Sequence, residues 1–150
     1  MPVRMELSRI LIRELNDFQI IELREVAATP TEDGGEIYSQ VENGRSFPIV
    51  IGLPEAQAIE RRLKGTPIKR PQTHDLLLNI IEELGGKLVS ITINDLSEHT
   101  FFALIEVQTK DGKTVRIDSR PSDAIAIGIG SNIPIYVAEH VLDAAQREEP

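Results

Sequence analysis

The 150-residue sequence contains no cysteine and no tryptophan. The first absence excludes disulfides, thiolate zinc sites, iron–sulfur clusters and cysteine nucleophiles, and it agrees with a reducing compartment. Any metal must therefore use oxygen or imidazole ligands. Aromatic residues are few, four Phe and two Tyr, which argues against extensive base stacking. No apolar run reaches the roughly 18 to 20 residues that cross a bilayer. The start, Met1-Pro2-Val3-Arg4-Met5-Glu6, lacks a basic segment followed by an apolar one. A cytoplasmic protein with no membrane partner is expected. Also missing are a Walker loop, a G-x-G-x-x-G after a strand, a G-x-S-x-G elbow and an H-E-x-x-H helix, which removes nucleotide-dependent motors, dinucleotide enzymes and zincins.

What is present is the composition of an ordinary globular chain, 41% hydrophobic and 27% charged, of a length suited to a single domain over residues 1–150. The net charge of -8 argues against sequence-independent coating of nucleic acid, which needs an extensive basic surface. One stretch runs the other way. Arg61, Arg62, Lys64, Lys69 and Arg70 fall within ten residues that contain no acid. They read either as a solvated helix end and loop or as a guide for a nucleic-acid backbone.

Hydrophobic periodicity gives a mixed α+β domain with a largely antiparallel sheet and about four helices. Strands are expected over Val3 to Arg13 and Phe18 to Val26, joined by a turn at Glu14 to Asp17. Ile37 to Glu42 and Phe47 to Ile51 flank Asn43-Gly44, a two-residue hairpin signal that predicts antiparallel pairing between them. A helix begins near Pro54, places Ala56, Ile59 and Leu63 on one face and stops at Gly65. A second is capped by Thr73 and buries Leu76, Leu77, Ile80, Ile81 and Leu84 before Gly85-Gly86. Strands follow at Lys87 to Ile93 and Thr100 to Thr109, with a polar turn at Asp95 to His99, and then at Thr114 to Asp118 after Asp111-Gly112. Residues 124–129 alternate apolar and small side chains, and Pro121 with Asp123 decides for helix. A short strand at Ile133 to Val137 and a helix at Ala138 to Arg147 complete the order.

Two helix starts share one set of residue types at different spacings, so they are not a repeat: Arg70, Pro71, Thr73 and Asp75, and Arg120, Pro121, Ser122 and Asp123. Free N–H groups at a helix start attract anions, and an arginine fork beside them matches phosphate or carboxylate oxygens. The carboxylates could instead hold a hard divalent cation. Capping, dipole and ion-pair roles account for the same residues without function. His74, in the first turn of its helix, is a candidate general base; His99 and His140 receive no role.

RPQTHDLL at 70–77 and DSRPSDAIAI at 118–127 resemble the signature segments of the bifunctional nuclease domain family, a likeness extended by Leu53-Pro54-Glu55-Ala56, the stretch from Leu84 to Leu96, and Thr100 to Ala103. It runs from about Phe47 to Val137. The resemblance implies an α+β domain, often self-associating, that hydrolyses phosphodiesters of DNA and RNA with little sequence preference. On that reading Arg70, His74, Asp75, Arg120, Ser122 and Asp123 are catalytic, with the arginines on phosphate oxygens and His74 or a metal-bound water in proton transfer. Asp75 and Asp123, with Asp118 in reserve, would hold Mg²⁺ or Mn²⁺. Arg61, Arg62, Lys64 and Lys69 would guide the backbone, and the molecule would be a homodimer. The alternatives are a non-catalytic binding or assembly domain whose arginines and aspartates lock the helix starts to the sheet, and an enzyme acting on a small phosphorylated molecule.

Overall fold

The computed structural model describes residues 1–13 and 15–148. The chain runs β1 (Val3–Leu11), β2 (Gln19–Pro30), β3 (Glu36–Gln40), β4 (Ser46–Ile51), α1 (Leu53–Lys64), α2 (Thr73–Glu83), β5 (Lys87–Ser97), β6 (Thr100–Gln108), β7 (Thr114–Ser119), α3 (Pro121–Gly128), a 3₁₀ turn (Ile129–Ser131), β8 (Ile135–Val137) and α4 (Glu139–Glu148). The α+β expectation with four helices therefore holds. All eight strands join one sheet in the order β3-β2-β1-β8-β5-β6-β7, with β4 also on β2, and only the β5–β8 pairing is parallel.

The sheet is strongly curled. Phe47 of β4 and Phe101 of β6 stack with ring centroids 5.5 Å apart, although four strands separate β4 from β6 in the sheet order. At a strand spacing of about 4.8 Å, a flat sheet would hold them on the order of 24 Å apart. Curling brings the two sides together around an apolar interior that includes Met5, Ile21, Leu23, Phe47, Ile91, Ile93 and Ile125. The small–large alternation of α3 explains how a helix fits there: Ala124, Ile125 and Ala126 are fully buried. A Cβ on Gly128 would come within 2.6 Å of the Ile91 side chain, so glycine sets how closely α3 approaches β5.

Three expectations need correction. Asn43-Gly44 does turn the chain, with Asn43 at φ 58°, but β3 and β4 do not pair with each other. Both lie along one edge of the twelve-residue β2, whose residues 19–24 face β4 and 26–30 face β3. The turn is a protrusion between two segments on one edge, bracketed where Val41 N–H donates to Glu25 O and Glu25 N–H to Arg45 O. The expected turn at Asp95 to His99 shrinks to Glu98-His99, because β5 continues to Ser97, opposite Thr100. Both turn residues have positive φ, 50° and 64°, the geometry of a two-residue hairpin that usually selects glycine or asparagine. Glu14, in the first expected turn, lies outside the described residues.

The third correction concerns α2. Thr73 is its first helical residue, and the cap is Gln72, whose backbone N–H donates to Asp75 Oδ2 at 3.1 Å. No residue of α2 is buried. Leu78 and Ile81 pack at the margin of the core, whereas Leu76, Leu77, Ile80 and Leu84 are exposed, Leu84 to 77%. Leu63 of α1 is exposed too, while Ala56 and Ile59 on the same helix are fully buried. Periodicity found the stripe but not its occupant: the interior is already filled by α3.

Candidate functional site

The site forms where three helix ends meet. Proline at its first position and the preceding strand fix the start of α3, leaving Arg120 as an extended N-cap and Asp123 in the first turn. The start of α1 contributes Glu55, and its last turn contributes Arg61 and Arg62. The start of α2 contributes His74 and Asp75.

His74 joins the two Arg-Pro segments. Its Nε2 lies 2.9 Å from Asp123 Oδ1, and both side chains are largely buried. The other oxygen, Oδ2, accepts from Arg120 Nε at 2.8 Å, and Arg120 Nη2 donates to Glu55 Oε1 at 3.0 Å. Burial pushes the Asp123 carboxyl up, but the hydrogen bonds from His74 and Arg120 and their charge outweigh it, so the group sits below its ordinary value and stays ionised. The same bond to Asp123 holds the Arg120 guanidinium above its usual range. An ionised acceptor at Nε2 selects the tautomer with its proton there, and Nδ1 is then the basic nitrogen. His74 also lines a cavity of about 320 Å³ between α1 and α2, whereas Arg120 lines a separate one of about 500 Å³.

Asp75 stands in a second, more enclosed cluster. Arg62 Nη1 donates to Oδ1 at 2.6 Å, Arg61 Nη2 lies 3.2 Å from Oδ2, and the cap bond from Gln72 adds to Oδ2. The side chains of Arg61, Arg62 and Asp75 are 14%, 12% and 16% exposed. Arg62 Nη2 also reaches the Ile127 carbonyl of α3 at 3.1 Å, passing over Gly130, where a Cβ would come within 2.7 Å of that nitrogen.

The basic run therefore divides. Arg61 and Arg62 turn inward onto Asp75, Lys64 pairs with Glu60 one turn earlier, and Lys69 and Arg70 are exposed. Ser122 is buried in the first turn of α3. Asp118 is exposed on β7. The donors suggested for a divalent ion do not form a cradle: the Asp75 carboxylate is taken by two arginines and a cap, and the Asp123 carboxylate by His74 and Arg120. Among the described residues no group of three His, Asp or Glu is placed to hold a metal ion.

Glu55 was not singled out as a site residue from the sequence, although it lies in a segment that carried the family likeness. The inward turn of Arg61 and Arg62 had no sequence signal, because charge clustering does not reveal which cations find a partner across the fold.

The sequence matches the bifunctional nuclease domain over residues 37–150. The chain belongs to that family. Both Arg-Pro segments and every residue of the two clusters lie within the matched region. Two proteins of Mycobacterium tuberculosis, from strains CDC 1551 / Oshkosh and ATCC 25618 / H37Rv and both named as uncharacterized, are 41% identical to the chain over 101 residues. The match covers 67% of this chain and 59% of each relative, so the chain spans little more than half the length of those proteins. Among the described residues no helix is long and apolar enough to cross a membrane.

Proposed function

We propose that this bifunctional nuclease domain hydrolyses phosphodiester bonds of DNA and RNA, with His74 as the general base. The observation that carries the reading is the 2.9 Å contact between His74 Nε2 and Asp123 Oδ1, which joins the family's two segments in a base-and-orienter pair. Asp123 fixes the tautomer, and Nδ1 takes a proton from the attacking water as its oxygen bonds to phosphorus. The P–O bond to the leaving sugar oxygen breaks, that oxygen takes a proton from the imidazolium or from solvent, and Arg120 lies across the phosphoryl oxygens as charge develops on them. The buried Ser122 and the first-turn amides of α3 frame the same end. Lys64, Lys69 and Arg70, all exposed, follow the backbone without reading sequence, which fits a substrate range covering both nucleic acids.

The proposed setting is the cytoplasm, in keeping with a chain that has no cysteine. The proposed assembly is a homodimer. Its support is the exposed apolar face of α2 and the unpaired outer edge of β7, whose residues Val115 and Ile117 are also exposed; an edge strand can pair with its own copy across a two-fold axis.

His74→Ala and Asp123→Asn, purified in parallel with the parent and checked by circular dichroism, should each lose cleavage of single- and double-stranded substrates by about 10²- to 10⁴-fold. Cleavage equal to the parent in both variants would trace the activity to a contaminating nuclease and end this reading. A second reading, a non-catalytic binding or assembly domain, is favoured by the closed Asp75 cluster, in which two arginines and an aspartate pair with each other. It requires clean protein to show no hydrolysis at all.

A further inference from the structure

A second surface beside Arg120 is not accounted for by the hydrolytic residues. At the seam where the curled sheet brings β4 to the tip of the β5–β6 hairpin, a groove of about 500 Å³ runs up to the start of α3. Phe18, Val50 and Phe101 line its wall, His99 lines it from the hairpin tip, and Arg120 from the helix start. Phe18 and Val50 are 54% and 62% exposed. Neither side chain belongs to the buried core, so an aromatic ring and a branched side chain stand open to water in the same groove as Arg120.

The polar end is equally specific. Arg120 uses Nε on Asp123 and Nη2 on Glu55, and among the described residues no partner engages Nη1. The guanidinium is thus fixed in position with one nitrogen unused and 65% of the side chain exposed. At the hairpin tip Glu98 and His99 both have positive φ, as the two-residue turn requires, and His99 reaches the groove wall from there.

A flat apolar surface next to a fixed, half-used guanidinium fits a ligand that is a flat ring joined to an anion. We propose that the groove binds an unpaired base of a single-stranded nucleic acid, with the base against the Phe18 ring and its phosphate on Arg120. The inference rests on the nucleic-acid reading above and adds the substrate's strandedness: a duplex keeps its bases stacked and cannot offer a free face. Asp17, also on the groove wall, repels phosphate from the Phe18 end and so orients the backbone toward Arg120.

The test measures equilibrium binding, by fluorescence anisotropy, of a hydrolysis-resistant phosphorothioate single strand and of the blunt duplex of the same sequence. The parent should bind the single strand the more tightly. Phe18→Ala should weaken single-strand binding by about tenfold, the scale of one lost stacking contact, with duplex binding unchanged. Val50→Glu, which places a carboxylate in the groove, should act in the same direction. Phe18 and Val50 are exposed, so both variants keep the fold, verified by their melting temperatures. Equal affinity of the parent for both forms, or unaltered single-strand affinity in both variants, overturns the groove assignment. If the parent cleaves and His74→Ala does not, that result removes the groove alone; a parent that neither binds nor cleaves removes the hydrolytic reading as well.

Discussion

Replacing Asp75 by alanine separates the two clusters. The carboxylate neutralises Arg61 and Arg62, each less than a sixth exposed, and caps α2 through the Gln72 N–H. Removing it strands two guanidinium groups in a poorly hydrated space. Breaking one partner out of a buried pair costs about 3 to 5 kcal/mol, and a lost cap adds about 1 kcal/mol. Against a total stability of about 5 to 15 kcal/mol this is severe. With about 2 to 4 °C per kcal/mol for a chain of this size, the melting temperature should fall by on the order of 10 °C or more. Arg120→Ala is the contrast, since its side chain is 65% exposed and an exposed pair contributes about 0 to 1 kcal/mol. Paired urea melts of the two variants give the comparison directly. A loss below about 1 kcal/mol in Asp75→Ala would show that water reaches the arginines and would refute the enclosed-pair reasoning.

The carboxyls of Asp123 and Glu25 both sit below their ordinary values, Asp123 against the effect of burial and Glu25 chiefly through the hydrogen bonds from Arg45. A depressed carboxyl stabilises the fold above its unfolded value and loses that contribution as pH falls through the folded one. Melting temperature should therefore hold down to about pH 4 and fall below it, and Asp123→Asn should flatten that acid limb. Gly128→Ala drives a methyl against Ile91 and Ile133 and should cost about 1 to 3 kcal/mol by overpacking, read as a lowered urea midpoint. Ile80→Glu on the exposed face of α2 should turn the proposed homodimer into a monomer in light scattering, and a parent that is itself monomeric would remove that assembly.

Much of the fold was legible because its signals are local. Proline at the starts of α1 and α3, Gly65 in the left-handed conformation after α1 and the Asp111-Gly112 turn each act within a few residues, and the structure keeps them. What failed was non-local. Asn43-Gly44 specifies a turn but cannot specify that β2 is long enough to receive both flanking strands on one edge. The α2 stripe specifies an apolar face but not that α3, with its alanines, occupies the interior first. The same limit applies to the site. The two Arg-Pro segments were visible as a pair, yet the first arginine, Arg70, is exposed. The Asp75 carboxylate, expected to face a divalent ion, is instead taken by Arg61 and Arg62, which no spacing rule connects to that residue.

If the proposed hydrolysis holds, the charges at the three helix ends bear on how an acidic protein would handle a polyanion. Arg61, Arg62 and Arg120 are set against Glu55, Asp75 and Asp123, so the fixed charges cancel and the sign of the site depends on the His74 imidazole. On the hydrolytic proposal, substrate approach would rely on the exposed Lys69 and Arg70 at the loop before α2, and the cluster would gain a positive charge as His74 takes a proton from water. That gain would coincide with the negative charge growing on the phosphoryl oxygens, which is stronger in the transition state than in the bound substrate, and would therefore speed the reaction rather than tighten binding. Asp123 keeps that charge in place by holding both His74 and Arg120 on one carboxylate. Asp123→Asn should consequently reduce kcat far more than it raises KM, whereas Lys69→Ala should do the reverse, and steady-state kinetics in which both variants change KM alone would contradict the division.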